Sequence, residues 1–418
     1  MHKFAHIADC HVGAQSKPEL RKMELKSFEA AFDRCIEEEV DFIIIAGDLF
    51  DSNLPNMEAV NESVKIMKRV KDSGIPIYVI YGSHDFSPNE TSIIDVLAST
   101  GLLTRITNAR VEENSLKLAF TLDPKTGAKL TGLPARKTGL EKHYFDVLDR
   151  DSLEKEDGFK IFAFHSAIDE LKPEIFTQMA SIPVSVFPKG FDYYAGGHVH
   201  KKVVEEMKNY GRIAFPGPLF AGYPKDLERS ARGEVRGFFI VEFDEVIKEV
   251  RFVEMPLYNY YYCEYDASDK RTVQVQEELT RELEKIDVKD KIVILKIFGE
   301  LSAGKTAEIS FTRFSELLKS NGALDVSINR YGLRSREFQS FQITGQDYAE
   351  IEGKLFRENI GNLDTSLKEL QGESGVSLAR NLLAVLKQHQ QANEKKKDYQ
   401  ERMSQQVIDI LSLKEMME

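Results

Sequence analysis

The sequence predicts an α/β protein of two packed sheets with helices outside, followed by a small α+β unit and a helical end. Three observations carry this expectation. Between Lys3 and about Arg105, short apolar runs alternate with helical stretches of ten or more residues, the pattern of a parallel sheet covered on both faces. Between Leu116 and Met255 strand patterns dominate and helical ones become sparse, enough to add a second sheet. After Pro256 the character of the text changes again. The chain, at 418 residues, is too long for one ordinary core, and the expected domains are 1–255, 256–340 and 341–418.

In chain order, the first stretch reads as the strand KFAHIAD, a helix over Met23–Glu39, the strand DFIIIAGD, a helix from about Met57 to Lys71, the strand PIYVIYG and a helix near Thr91. The second reads as SLKLAFTL, AKLTGLP, KIFAFHSA, FDYYAGGHVH, RIAFPG, RGFFIVEFD and KEVRFVEM, all strands of the added sheet. LYNYYYCEYD then reads as an irregular aromatic link. Beyond it come a helix over Val275–Lys285, the strand KIVILKIFGE, a helix over Thr312–Ser320 and the strand DVSINRYGLRSRE. Near the end, Leu378, Leu382, Val385 and Leu386 share one helical face, and Met403, Val407, Ile410 and Leu411 repeat the spacing. These two amphipathic helices either fold back on the body or present their apolar faces to a partner.

Composition narrows the function. Hydrophobic residues make up 42% and charged residues 30% of the chain, which describes a soluble globular protein and not a disordered one. Apolar runs stay short of the roughly 20 residues needed to cross a bilayer, and the N-terminus leads directly into a strand instead of a signal peptide. The expected location is cytoplasmic, with no membrane contact. Cys10, Cys35 and Cys263 are far apart and form no Cys-x-x-Cys pair, so they are expected to be reduced and structural. Net charge is −12, which argues against non-specific affinity for phosphate backbones. Positive charge for a nucleic acid must then be local. Bound metal ions are one source; residues 289–340, with nine Lys or Arg against six Asp or Glu, carry a modest excess that a solvated surface explains about as well as a DNA contact.

Five short motifs carry the chemistry, each at the carboxyl end of an expected strand, where ligands bind in α/β sheets. They are Asp9-Cys10-His11, Gly47-Asp48-Leu49-Phe50-Asp51, Gly82-Ser83-His84-Asp85, His165, and Gly196-Gly197-His198-Val199-His200. Taken singly, an Asp after a strand is usually a turn former and a His is usually satisfied by hydrogen bonds. Five of the nine histidines occur at strand ends, however, while His2, His6, His143 and His389 do not. Mixed carboxylate and imidazole donors suit Mn²⁺, Fe²⁺ or Zn²⁺ better than a site of oxygen alone. The donors are too many for one ion, and two ions bridged by a carboxylate can clamp a phosphate and activate a water.

In this order and spacing, D-x-H, G-D-x-x-D, G-x-H-D, a single His and G-H-x-H resemble the calcineurin-like metallophosphoesterase signature. HIADCHVG, GDLFD, YGSHDFSP and the PGPLF stretch after GHVH are similar to the DNA double-strand-break repair nucleases of the SbcD type in their archaeal form. The resemblance implies an αββα metallophosphoesterase sandwich over 1–255, a DNA-binding cap over 256–340 and a partner-binding helical segment over 341–418. It implies that Asp9, His11, Asp48 and His200 hold one metal, and that Asp48, His165, His198 and the residue at Ser83 hold a second. Two Mn²⁺ are implied, with Mg²⁺ or other divalent ions as substitutes. His84 becomes the acid for the leaving 3′ oxygen, with Asp85 behind its ring. The implied activity is exonuclease and single-strand endonuclease cleavage of DNA. The implied partners are DNA, a second copy docked through Met57–Lys71 and Ser92–Ala98, and a coiled-coil SbcC-type ATPase on the C-terminal helices.

Two residues depart from the family pattern. Ser83 stands where an asparagine is usual, and Asp51 stands where some members carry a histidine that places the DNA phosphate. Rival readings are a phosphoesterase for small phosphodiesters or phosphoproteins, and a scaffold that binds DNA or the ATPase with weakened catalysis. The stretch GELSAGKT matches a Walker spacing formally, but no P-loop domain of adequate size surrounds it.

Overall fold

The computed structural model describes residues 1–86, 91–135, 141–173, 179–336, 352–353, 356–357, 360, 372–391, 394 and 396–411. They fall into two compact units, Met1–Ser335 and Arg336–Glu418.

The first unit holds two six-stranded sheets. One runs, edge to edge, Ile247–Glu254, Gly237–Phe243, His2–Ile7, Phe42–Ala46, Ile77–Ile80 and Thr104–Arg105. From His2–Ile7 onward its pairings are parallel, as the alternation of apolar runs with helices predicts. The other runs Val203–Met207, Gly211–Phe215, Tyr193–Gly197, Lys160–His165, Lys129–Leu133 and Thr121–Leu122. Two assignments change. The strands within RGFFIVEFD and KEVRFVEM return to the first sheet, where Gly237–Phe243 pairs antiparallel with His2–Ile7. Without it the first strand would be an edge with open amide groups. Residues Ser115–Ala119 pair with Asn108–Glu112 in a separate hairpin, so only the end of SLKLAFTL joins the second sheet.

Three apolar layers hold this sandwich together. Outside the first sheet, Phe28 and Phe32 of helix Pro18–Glu37 and Met67 of helix Met57–Asp72 pack on Ile43, Ile45 and Val79. Between the sheets, Phe4, Phe42 and Ile44 meet Leu130, Ile161 and Tyr193. Outside the second sheet, Phe145, Leu153 and Phe187 cover Phe162, Phe164 and Tyr194. Each large side chain taken fully out of water contributes about 1.5–3 kcal/mol. The architecture is therefore the expected αββα sandwich. Its first helix begins five residues before the expected start, because Pro18 at the first helical position has its φ preset for a helix.

A third sheet follows. Asn259–Asp266, Lys291–Leu301 and Asp325–Asn329 pair in parallel, and Leu333–Ser335 adds to the far end of Lys291–Leu301. Helices Thr272–Leu283 and Phe311–Ser320 cover one face. The expected aromatic link is thus the strand Asn259–Asp266. Its odd positions Tyr261, Cys263 and Tyr265 face the helices of this sheet, while Tyr258, Tyr260 and Tyr262 join Leu20, Met23, Phe220 and Leu227 of the sandwich. Over Tyr260–Tyr262 both faces carry tyrosines, so apolar–polar alternation appears only from Cys263 to Asp266. DVSINRYGLRSRE likewise divides into two strands around a turn at Gly332, whose φ is +107°.

In the second unit, helix Gly372–Leu386 packs along helix Lys396–Ile410. Both expected amphipathic segments are helical.

Candidate metal centre

Asp9, Asp48, His84, His165 and His198 stand just beyond, or at, the carboxyl ends of five strands of the two sheets. The loops that carry them approach one another closely. A Cβ on Gly47, itself at φ +87°, would lie 2.3 Å from His165 Nδ1; one on Gly82 would lie 2.1 Å from Asp48 Oδ1. The glycines of the G-D and G-S-H-D motifs are there because no side chain fits. Asp9, His11, Asp48 and His198 all take left-handed backbone angles, with φ of 51°, 45°, 50° and 82°. Non-glycine residues held this way carry strain, which proteins concentrate at functional sites.

The side chains converge. Asp48 Oδ2 lies 3.0 Å from His165 Nε2 and 3.7 Å from His11 Nε2. Asp9 Oδ1 lies 3.8 Å from His165 Nε2 and 3.9 Å from His200 Nε2. His11 Nε2 and His200 Nε2 face each other at 3.1 Å. Among the described residues three donor groups could each hold an ion: Asp9, His11 and His200; Asp9, Asp48 and His165; and His11, Asp48 and His84. The first two meet through Asp9, with Asp48 reaching toward both. An open cleft of about 580 Å³, lined by His11, Asp48, His84 and His200 together with Ser83, His198, Met179 and Tyr223, reaches the outer side of the cluster, while Asp9 and His165 lie buried behind it.

One regularity tests whether these residues fit a metal. His165 Nδ1 donates to the Ala46 carbonyl at 2.8 Å, and His84 Nδ1 to the Asp51 carbonyl at 2.7 Å. His200 Nδ1 faces Asp226 Oδ2 at 2.9 Å, and His11 Nδ1 faces Asp51 Oδ1 at 3.2 Å. An oxygen on Nδ1 fixes the proton there and leaves the Nε2 lone pair for a cation. His165 Nε2 is buried and makes no hydrogen bond among the described residues, although two carboxylates surround it. That orphaned nitrogen fits a divalent ion.

Residues 2–202 match the family model described as calcineurin-like phosphoesterase. The chain carries a calcineurin-like phosphoesterase domain. Curated relatives extend the likeness beyond it. A DNA double-strand break repair protein Mre11 from Methanopyrus kandleri is 31% identical over 60% of this chain and 57% of its own length. The Mre11 of Methanococcus maripaludis is 25% identical over 62% of this chain and 68% of its own, and that of Methanosarcina mazei is 25% identical over 78% and 49%. This chain spans roughly half to two thirds of the length of these relatives.

Within the phosphoesterase domain several expected contacts change. Asp85 does not stand behind the His84 ring. Its carboxylate points inward and accepts the backbone N–H groups of Gly82, Leu49 and Phe50 at 2.9, 3.3 and 3.1 Å, clamping two motif loops together. The residue that orients His84 is Asp51, through its carbonyl. Asp51, the candidate substrate contact, uses Oδ1 to hold His11 Nδ1 at 3.2 Å and to accept from the Tyr223 hydroxyl at 2.8 Å. Ser83 Oγ lies 3.4 Å from Asp48 Oδ2. His198 lines the cleft and its backbone N–H donates to Asp9 Oδ1 at 2.9 Å, but it belongs to none of the three donor groups.

Tyr223 and Asp226 were not singled out by the motifs. Their sequence signal is slight: Tyr223 precedes a proline at the first position of helix Pro224–Ala231, and Asp226 lies in its first turn. Asp226 also accepts from Arg229, and the largely buried Arg236 donates to its carbonyl at 3.0 Å.

Electrostatics follow from this packing. Burial disfavours charge on His165, but Asp48 and Asp9 outweigh it and raise its pKa to about 10. Burial and the neighbouring His165 lower His198 to about 4. Asp48, despite burial, is held below the usual carboxylate range by His165, His11 and His84. Asp85 is raised to about 6 by burial and by Asp48. A bound cation would replace the protons that balance these carboxylates.

Proposed function

We propose that this chain is a divalent-metal-dependent nuclease of DNA double-strand-break repair. The observation that supports it most directly is the convergence, at the floor of an open cleft of a phosphoesterase domain, of four imidazoles with the carboxylates of Asp9 and Asp48. The similarity to repair proteins named Mre11 supports DNA as substrate.

In this reading Asp9, His11, Asp48 and His200 hold one Mn²⁺, and Asp48, His165, His198 and Ser83 hold a second. Such ions, when bound, polarise a phosphate and activate a water for in-line displacement. The chain's own residues do the rest. Asp51 and Asp226 aim His11 and His200, the Ala46 carbonyl aims His165, and His84 presents Nε2 to the leaving sugar oxygen. As the phosphorus–oxygen bond breaks, that oxygen keeps the electron pair and takes the His84 proton. The reading includes exonuclease and single-strand endonuclease cleavage, both of which use this chemistry.

Residues 256–340 serve as a cap for DNA, and the helices Gly372–Leu386 and Lys396–Ile410 dock a coiled-coil ATPase of the SbcC type. A second copy docks through Met57–Lys71 and Ser92–Ala98, where Met57 and Val96 are 69% and 48% exposed beside an 83% exposed Leu54. Among the described residues no helix is long and apolar enough to cross a membrane.

The test uses labelled single- and double-stranded DNA with Mn²⁺. His84→Ala should slow cleavage about 10²–10⁴-fold, the contribution of a positioned acid, and chelation should abolish it. Equal rates for parent and variant would remove His84 from the mechanism. Truncation after Gln371 should abolish co-purification with the ATPase, and unchanged association would relocate that interface.

A further inference from the structure

One wall of the cleft comes from outside the five motifs. The Tyr223 hydroxyl donates to Asp51 Oδ1 at 2.8 Å and lies 3.3 Å from His84 Nε2 and 3.5 Å from His11 Nδ1. Its ring lies nearly parallel to that of His200, at 12° with centroids 5.8 Å apart. A phenol has one proton, and here the Asp51 carboxylate receives it. As an acid His84 carries a proton on both ring nitrogens, and toward that form of the ring the same oxygen acts as an acceptor for Nε2–H. With the Asp51 carbonyl on Nδ1, the His84 ring is held by an acceptor at each edge.

The hydroxyl is itself placed from a distance. Helix Pro224–Ala231, which Tyr223 precedes, is pinned to the third sheet. Leu227 packs with Ile292 and Ile294, Glu228 Oε2 accepts from Asn329 Nδ2 at 2.9 Å, and Arg232, just past the helix, pairs with Glu264. The sheet after Pro256 thus reaches the reacting histidine through a single helix.

We propose that Tyr223 is a positioning residue for leaving-group protonation: its hydroxyl, anchored on Asp51, holds the Nε2 edge of His84 over the cluster. This rests on the acid role of His84 given above. During the reaction the Nε2 proton passes to the departing oxygen, and the hydroxyl keeps the ring from rotating away. Tyr223 then matters only where the leaving oxygen needs a proton.

That dependence is the test. Tyr223→Phe keeps the ring and its packing and removes only the oxygen. The full chain with Mn²⁺ is assayed on DNA and on bis(p-nitrophenyl) phosphate, whose acidic phenol departs without protonation. On DNA, Tyr223→Phe should lower kcat by about tenfold or more with KM nearly unchanged, a fraction of what His84→Ala loses. On the nitrophenyl ester Tyr223→Phe should stay within about threefold of the parent. Mn²⁺ affinity, measured by electron paramagnetic resonance without substrate, should be the same for Tyr223→Phe and the parent. Equal losses on the two substrates, or weakened Mn²⁺ binding, would overturn the proposal by making Tyr223 structural. No loss on DNA from Tyr223→Phe, with His84→Ala impaired, would overturn it alone. No loss from His84→Ala would overturn the acid assignment and this proposal with it.

Discussion

His6 and His165 are both buried, and each turns Nδ1 to an oxygen: the Tyr193 hydroxyl at 2.9 Å for His6, the Ala46 carbonyl at 2.8 Å for His165. In each, Nε2 is buried without a hydrogen-bond partner among the described residues. The difference lies in what surrounds that nitrogen. His6 packs against the rings of Tyr193 and Phe239, and burial lowers its pKa to about 3. His165 is as deeply buried, yet Asp48 at 3.0 Å and Asp9 at 3.8 Å lift it to about 10. An orphaned imidazole nitrogen among neutral rings is inert. The same nitrogen between carboxylates is a seat for a cation, whether proton or metal.

The comparison breaks most visibly at His165. His165→Ala leaves Asp9 and Asp48 facing each other unneutralised, so the metal-free protein should lose about 3–5 kcal/mol of stability. Urea unfolding in a chelator measures this, and Mn²⁺ should restore part of the loss. An unchanged midpoint would mean that the carboxylates balance themselves.

His6 should act through pH instead. Its folded pKa lies below its unfolded value near 6.5, so the unfolded chain binds more protons and stability is lost as pH falls from about 6.5 toward 3. The slope is up to about 1.4 kcal/mol per pH unit. His6→Gln should flatten it, and an identical acid limb in the variant would acquit His6.

Glu24 sharpens the same contrast with the opposite sign. It is buried and accepts the Gly13 N–H at 2.7 Å, and burial raises its pKa to about 8 despite that bond. Its contribution is complete below about pH 4.5 and is lost as pH rises through 8. Glu24→Gln should remove this decline from thermal unfolding profiles between those values.

The smallest expected effect is at Ser83. A serine hydroxyl is shorter and a poorer ligand than an asparagine carbonyl, so Ser83→Asn should lower the Mn²⁺ concentration for half-maximal cleavage a few-fold. An unchanged requirement would show that the serine is no handicap.

Much of the candidate site was legible because its residues occupy strand ends, where a run of apolar residues stops at a donor, in three of the five motifs after a glycine. Asp9, His11, Asp48, His165 and His200 could all be named that way, and His6, in mid-strand, could be set aside. The contacts between them could not. Asp85 is next to His84 in sequence and points away from it, while Asp51, 33 residues earlier, holds the ring. Tyr223 carries no motif at all.

By itself the sequence determined most strands and the two long helices of the sandwich and the donors at the strand ends, though not the strand Val203–Met207 or the helix Pro224–Ala231, because periodicity and turn chemistry act between near neighbours. Only the tertiary structure decided that Gly237–Phe243 returns to pair with the first strand, that the aromatic segment Asn259–Asp266 is a strand packed between its own helices and the sandwich, and that Tyr223 meets His84. Those outcomes depend on which surfaces meet across the chain. A residue flanked by apolar neighbours on every side carries no local mark of which neighbour it will face.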